Sequence, residues 1–290
     1  MDDLLLNPNT RLQLKGLLRE PPHAILLSGP TGSGKTALAQ AMASALLDLP
    51  DTQALENYPY YTFLEPKNNV IPIESIRKLQ QFLQLRTPGR AAVRRIAIVA
   101  GVDKLTTEGQ NAFLKTLEEP PADTVLILTA GTLETVLPTI QSRATVVRVL
   151  PISQAAAQEH YFTQGFTEAV IRQAWSLSQG QAGLLNDLLT EAEEHELVEY
   201  VAQAKSLLGS SVFERLTHVD DYSKDKQALE LLLASLSRIA QTAMEQAALQ
   251  DKTATLKRWH SIATHLDRAR AAAKRNANSK LLLTDLMLNL

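Results

Sequence analysis

The stretch from Ala24 to Leu47, AILLSGPTGSGKTALAQAMASALL, limits the fold more than any other part of the chain. An apolar run, Ala24–Leu27, has the composition of a buried strand. It leads directly into Gly29-Pro30-Thr31-Gly32-Ser33-Gly34-Lys35-Thr36, which satisfies G-x-x-x-x-G-K-[ST] at every fixed position, between a strand and a helix. Glycines let successive backbone N–H groups turn inward around phosphate oxygens. A helix opening near Gly34 turns the positive end of its dipole toward the same anion. In this reading Lys35 reaches the β- and γ-phosphates and Thr36 offers its hydroxyl to Mg2+. A glycine-rich turn without a ligand is the bland alternative, and the complete motif in its strand–helix setting argues against it.

The following helix, Thr36–Leu47, is apolar nearly all round and should be covered on both sides. Before it, residues 7–20 read as a short helix stopped by Pro21-Pro22. Tyr58–Leu64, Arg95–Val102, Val125–Leu128 and Val146–Leu150 read as strands. Ile73–Leu83 and a helix from Leu105 to the stop at Pro120-Pro121 keep helical spacing, with Thr107 and Gln110 at capping-box distance. Uninterrupted apolar strands alternating with helices predict an α/β fold with a parallel sheet covered on both faces. After about Pro151 only helical patterns remain: Ser153–Gln164, Thr167–Gln179, Ala182–Glu191, His195–Leu208, Ser211–His218, Lys224–Gln250, Thr253–Lys274 and Lys280–Leu290. The expected organisation is a nucleotide-binding domain over 1–151, a small helical domain over 152–208 and an all-α domain over 209–290.

A net charge of −2 in 290 residues offers no overall field for nucleic acid or membrane, so such contacts must be local. The chain has no cysteine, which excludes disulfides and thiolate metal sites. No apolar run approaches the ~18 residues of a membrane helix, and MDDLLLNPNTR lacks a signal pattern. A cytoplasmic protein without a membrane partner is expected.

A phosphate loop alone does not distinguish a kinase from a motor or a switch. The second half of the α/β region is more specific: Val102-Asp-Lys-Leu-Thr106, then NAFLKTLEEPP from Asn111 to Pro121, then Leu137-Pro-Thr-Ile-Gln-Ser-Arg143. With IPIESIRKLQQFLQL before it, this pattern resembles the bacterial clamp-loader branch of the AAA+ ATPases, and within that branch its delta' subfamily. The resemblance is strong over 24–150 and looser beyond. It implies an AAA+ P-loop domain, a helical lid and a C-terminal collar. It further implies a hetero-pentamer with gamma/tau and delta subunits that binds ATP at subunit interfaces and places a sliding clamp on primed DNA. In that family an Arg from a Ser-Arg-Cys motif reaches a neighbour's ATP. Here the motif reads Ser142-Arg143-Ala144, so Arg143 is the candidate arginine finger acting in trans. A salt bridge anchoring the loop is its structural alternative.

The chain departs from a hydrolysing member of this family at three places. A working site needs carboxylates at the end of the second core strand, one for the metal and one for the attacking water. Ungapped alignment puts those positions on Ala100 and Gly101. Asp103 would stand about 10 Å further along an extended strand and reads as a residue leading into the helix. A shifted alignment with Asp103 as metal partner is the alternative. The family's γ-phosphate-sensing position falls on Ala130–Gly131, flanked by Thr129 and Thr132. The sensing Arg of the lid is replaced by glycine in Gly180-Gln-Ala-Gly183, and neither Arg172 nor Gln181 takes that role. The expectation is a stator that holds ATP weakly or passively, with Mg2+ at most weakly held, no protein-held metal site and no zinc. Its own hydrolysis should be negligible. An ATP-hydrolysing gamma/tau-like motor subunit is the alternative, and it requires the shifted acid.

Other features are open. Glu118 and Glu119 occupy a last helical turn, where the dipole disfavours anions, so something should compensate. Arg77, Lys78, Arg86, Arg90, Arg94 and Arg95 could touch a DNA backbone or form a solvated face. The six histidines (23, 160, 195, 218, 260 and 265) have no metal-like spacing, and Trp175 and Trp259 read as packing residues. The apolar face Leu281, Leu282, Leu283, Leu286, Met287 and Leu290 suits either its own domain or another subunit.

Overall fold

The computed structural model describes residues 4–190 and 196–290. Glu191 and His195, which the periodicity assigns to helices, lie outside them. The strands are β1 (Ala24–Ser28), β2 (Tyr61–Leu64), β3 (Arg95–Val99), β4 (Thr124–Ala130) and β5 (Thr145–Arg148). The first eight helices are α1 (Pro8–Arg19), α2 (Lys35–Leu46), α3 (Ile73–Leu83), α4 (Thr107–Glu118), α5 (Pro138–Gln141), α6 (Gln154–Phe162), α7 (Glu168–Ser178) and α8 (Ala182–Thr190). The chain divides into two compact units, Met1–Asn186 and Asp187–Leu290.

The first unit is built on a five-stranded sheet in the order β2-β3-β4-β1-β5, and every pairing is parallel, as the strand composition predicts. β1, β3 and β4 are buried along their whole length. Side chains alternate between faces. Ala24 and Leu26 join Ile76, Leu79, Phe113 and Leu117 of α3 and α4 on one face. Ile25 and Leu27 join Leu14, Leu38 and Met42 of α1 and α2 on the other.

Helix ends follow local chemistry. Asn7 caps α1 by accepting from the Asn9 amide at 3.0 Å, with Pro8 as the first helical residue. The cap of α4 is Thr106, not Thr107: its hydroxyl accepts from the Gly109 amide at 3.1 Å. Gln110 therefore completes no capping box. It is buried, donates to the Thr135 carbonyl at 3.2 Å and accepts from the Leu137 amide at 2.9 Å, tying α4 to the loop that leads to Arg143.

The basic cluster separates on folding. Arg95 is buried, donates to the carbonyls of Leu83 and Leu85, and lies 5.7 Å from the centre of the Phe82 ring. Arg94 pairs with Asp123 at 3.2 Å and donates to the Gly89 carbonyl at 3.0 Å. Both hold the 83–94 connection to the sheet and are not part of a free basic face. Trp175 likewise is structural, its indole N–H donating to the Ile152 carbonyl at 3.1 Å.

The second unit is helical: α9 (Glu196–Gly209), α10 (Val212–Thr217), α11 (Val219–Ser223), α12 (Lys226–Leu249), α13 (Thr253–Lys274) and α14 (Ser279–Leu288). Its core gathers Leu207, Leu232, Leu236, Leu266, Leu283 and Met287, with Trp259 packed against it. Arg215 is buried and donates to the Leu207 carbonyl at 3.0 Å and the Leu290 carbonyl at 2.7 Å. The C-terminal apolar face therefore divides: Leu282, Leu283, Leu286 and Met287 are buried in their own unit, while Leu281 is exposed.

Phe113 is fully buried between α4 and the sheet. Phe113→Ala is expected to cost about 3–5 kcal/mol, the usual cost of removing a core aromatic side chain. Urea unfolding followed by circular dichroism checks it, and a loss under about 1 kcal/mol would show that the α4 face is loosely packed.

Candidate functional site

The phosphate-loop residues Gly29 to Thr36 sit at the C-terminal end of β1, where the sheet meets the start of α2. Gly32 and Gly34 have φ of +86° and +82°, a conformation open to glycine at little cost. Gly34 is the N-cap of α2 and contributes no side-chain cap, so the first-turn amides of the helix are left for an anion. The Gly29 amide is tied to the Ala130 carbonyl at 3.2 Å and the Ser33 amide to the Pro30 carbonyl at 3.2 Å. Thr31 and Thr36 are exposed at the mouth.

Lys35 is folded back on its own loop. Its ammonium donates to the carbonyls of Gly29 at 2.7 Å and Pro30 at 2.8 Å, and to the Ser33 hydroxyl at 3.3 Å. Burial lowers its pKa from 10.5 to about 8, and the charge of Asp103 pulls it partly back up. A phosphate must therefore replace carbonyl partners that Lys35 already has.

The N-terminal turn of α8 lies against the same loop. The Leu184 amide donates to the Gly32 carbonyl at 2.7 Å. A Cβ on Gly183 would come within 2.9 Å of Gly32 O and of the Gly34 backbone, so only glycine permits this approach. Gln181 is buried beside Gly32, and its Oε1 has no hydrogen-bond partner. The position aligned with a sensing arginine is thus a backbone contact. Arg172 is engaged elsewhere, with Glu168 at 3.1 Å.

Asp103 does not lie where an extended strand would carry it. β3 stops at Val99, Gly101 turns the chain at φ +81°, and residues 102–104 form a single 3-10 turn. The Gly101 amide is fixed to the Thr129 hydroxyl at 2.8 Å. The turn brings Asp103 over the end of the sheet, where its Oδ2 accepts from the Gly131 amide at 3.1 Å. Gly131 directly follows β4, and Ala130 bonds the first residue of the phosphate loop. Asp103 is therefore close to Lys35 and is no mere lead into α4. Its Oδ1 is buried without a hydrogen-bond partner. Among the described residues, no group of three or more His, Asp or Glu could hold a metal by itself.

Arg143 is at the opposite end of the strands, just before β5. β5 runs parallel to β1, with Thr145 opposite Ile25 and Arg148 opposite Ser28. Arg143 precedes β5 whereas the phosphate loop follows β1, so about five strand residues, roughly 16 Å, separate the two. Arg143 lies too far from its own phosphate loop to act there. Its guanidinium is held by Glu118 at 2.7 Å and by the Thr139 carbonyl at 3.0 Å, with 36% of the side chain exposed. This pair answers the question posed by Glu118: Arg143 is the compensating cation at the end of α4. The two residues are 25 apart in sequence, with β4 and α5 between them, so no local spacing signals their contact.

Residues 12–153 match the family model described as DNA polymerase III, delta subunit. The DNA polymerase III subunit delta' of Pseudomonas aeruginosa is 29% identical over 208 residues, covering 66% of this chain and 62% of that protein. The subunit delta' of Buchnera aphidicola is 30% identical over 138 residues, covering 43% of this chain and 42% of the relative. The Replication factor C small subunit of Aeropyrum pernix is 27% identical over 241 residues, covering 81% of this chain and 69% of that one. The chain thus spans less than two thirds of the length of these delta' relatives. A gamma subunit-related DNA polymerase III protein from Thermotoga maritima shares the fold, with a TM-score of 0.51 at 19% identity over 95% of this chain and 97% of that one.

The Lys35 site has a pH signature. The unfolded chain keeps the Lys35 proton up to about 10.5 and the native chain only to about 8, so the unfolded state binds more protons between those values. Stability should climb with pH across that window, as the buried charge is lost, and stay level below it. Denaturant unfolding of the wild type and Lys35→Met checks this: the difference between them should shift in favour of the wild type as pH rises. A difference independent of pH would contradict a desolvated Lys35.

Proposed function

We propose that this chain, a member of the clamp-loader branch of the AAA+ proteins, serves as a delta'-type stator of a DNA polymerase III clamp loader. In this reading it is a cytoplasmic component of a hetero-pentamer with gamma/tau and delta subunits, and it helps to place a sliding clamp on primed DNA. Residues 1–151 form the nucleotide-binding domain, 152–208 the lid and 209–290 the collar.

The reading assigns two separate tasks to the two ends of the sheet's strands. At the C-terminal end the phosphate loop, from Gly29 through Pro30, Thr31, Gly32, Ser33 and Gly34 to Lys35 and Thr36, holds ATP weakly and passively. Lys35 must give up the Gly29 and Pro30 carbonyls to reach a phosphate. The Ala100–Gly101 end of β3 supplies no carboxylate to orient an attacking water, so the site lacks the positioning that carries most of the barrier reduction. At the N-terminal end Arg143 offers a planar set of donors to a neighbour's γ-phosphate.

The observation that carries the proposal is the parallel register of β1 and β5, which puts Arg143 beyond reach of its own phosphate loop while leaving its guanidinium partly open. A finger so placed can serve only another chain.

The motor reading draws on Asp103, an acid whose charge acts on Lys35. Steady ATP hydrolysis by the isolated chain, abolished in Lys35→Ala, would replace the stator reading with it.

Reconstitution of the loader with Arg143→Ala tests the proposal. Turnover at the one partner site served by Arg143 should fall by roughly 10³–10⁵-fold, the usual contribution of an arginine finger, while the subunits still assemble. Unchanged DNA-stimulated ATP turnover would remove Arg143 from the mechanism and leave it as a loop anchor.

A further inference from the structure

We infer that the outer face of α13, together with the cleft between α13 and α14, binds single-stranded DNA. The inference goes beyond the nucleotide and arginine-finger assignments and concerns the second unit alone. It takes from the proposed function only the presence of primed DNA, part of which is unpaired.

Charge is the first observation. The whole chain has a net charge of −2, yet residues 253–275 contain six Lys and Arg and a single acid, Asp267. Lys257, Arg258, Arg268, Arg270 and Arg275 are all exposed. Among the described residues, none of these five has a carboxylate at ion-pair distance. Arg77, Arg143 and Arg172, by contrast, each face a glutamate. Spacing is the second observation. Lys257, Ser261, Thr264, Arg268, Ala272 and Arg275 recur at three- and four-residue intervals, which sets them on one stripe of the helix. Ile262 and Leu266, on the other side, make the core contacts. At 1.5 Å per residue the stripe runs about 27 Å from Lys257 to Arg275, a length suited to a short single-strand site.

The cleft is the third observation, and it selects the occupant. Beside Arg268 a space of about 300 Å³ opens between α13 and α14, lined by Ala269, Ala272, Leu281, Leu282 and Asp285. Leu281 is 70% exposed although apolar. Lys280, the cation next to it, is tied to Asp220 at 2.7 Å and takes no part. Phosphates along a strand suit the cationic stripe. An unpaired base beside Arg268 can lay its apolar face on Leu281 and give an N–H to Asp285. A duplex keeps its bases stacked and paired, so it can use the cations and not the cleft. Cations and apolar cleft on one track therefore fit a single strand.

The test is fluorescence anisotropy of a labelled oligo(dT) strand, and of a duplex of equal length, titrated with the full chain over a series of NaCl concentrations without nucleotide. The wild type should bind the single strand more tightly than the duplex. The triple variant Lys257→Ala, Arg268→Ala, Arg275→Ala should bind oligo(dT) roughly 10-fold more weakly at low salt. Its slope of log K against log [NaCl] should be shallower by about 2, three phosphate contacts at about 0.7 each. Leu281→Ser should weaken binding and leave the slope alone. These side chains are exposed, so the melting temperature should stay that of the wild type. Lys78→Ala, Arg86→Ala, Arg90→Ala together remove as many exposed cations from the first unit and should change little. Failure to bind oligo(dT), or equal losses in the two triple variants, overturns the inference. So does a duplex bound as tightly as the single strand with Leu281→Ser without effect. The Arg143 experiment reads ATP turnover, so either conclusion can fail without the other.

Discussion

The parallel register of the central sheet is the constraint from which the rest follows. Because β5 lies beside β1 in the same direction, whatever precedes β5 and whatever follows β1 are held at opposite ends of the strands. Arg143 and Lys35 are each rigidly placed, and each is kept from the other by the length of a buried strand. The same register brings the ends of β3 and β4 together with the end of β1, which is how Asp103 and Gly131 come to border the phosphate loop. Apolar burial on both faces fixes this register, since a slip of one residue would turn Ile25 and Leu27 toward the side occupied by Phe113 and Leu117.

The phosphate loop is in a self-satisfied state. Lys35 is bonded to two carbonyls of its own loop, and the Gly32 carbonyl is bonded to the Leu184 amide at the start of α8. Each of these contacts is an ordinary hydrogen bond, with charge assistance where Lys35 is the donor. On the proposed reading, nucleotide binding would be an exchange of partners, with a net free energy smaller than the strength of a phosphate–lysine contact would suggest. Glycine at 183 keeps this closed arrangement sterically accessible: a side chain there would collide with the Gly32–Gly34 backbone. Glycine at 183 thus admits the start of α8 against the loop where a side chain would exclude it.

Much of this was legible in the linear chain. The phosphate-loop motif, the buried strands and the helical second half each carry a local periodicity or a fixed spacing, and all survive in the structure. The features that escaped depend on turns or on distant contacts. Asp103 was assigned to an extended path, and a single left-handed residue, Gly101, invalidates that path. Arg94 and Arg95 read as part of a basic face because charge is visible in sequence while burial against Asp123, Leu83 and Leu85 is not. Thr107 and Gln110 have capping-box spacing, yet it is Thr106 whose backbone is extended as a cap requires. Gln110, chosen for a box that does not form, instead bridges to Thr135 and Leu137.

The Glu118–Arg143 pair shows how a residue can be held ready without being held fast. Both side chains are well exposed, at 47% and 36%, and an ion pair so placed stabilises a fold by about 0–1 kcal/mol. Arg143 also stands at the negative end of α4, where a cation gains about 0.3–1 kcal/mol from the helix dipole. Both quantities are small against what a guanidinium gains at a desolvated phosphate. The resting pair and the Thr139 carbonyl therefore orient Arg143 on a short, anchored segment, where Gln141 ties the chain to the Leu133 and Val136 carbonyls at 2.9 Å. In the proposed role, a neighbour's nucleotide would compete only with a weak, solvent-screened contact, and the loop beneath it would not have to move.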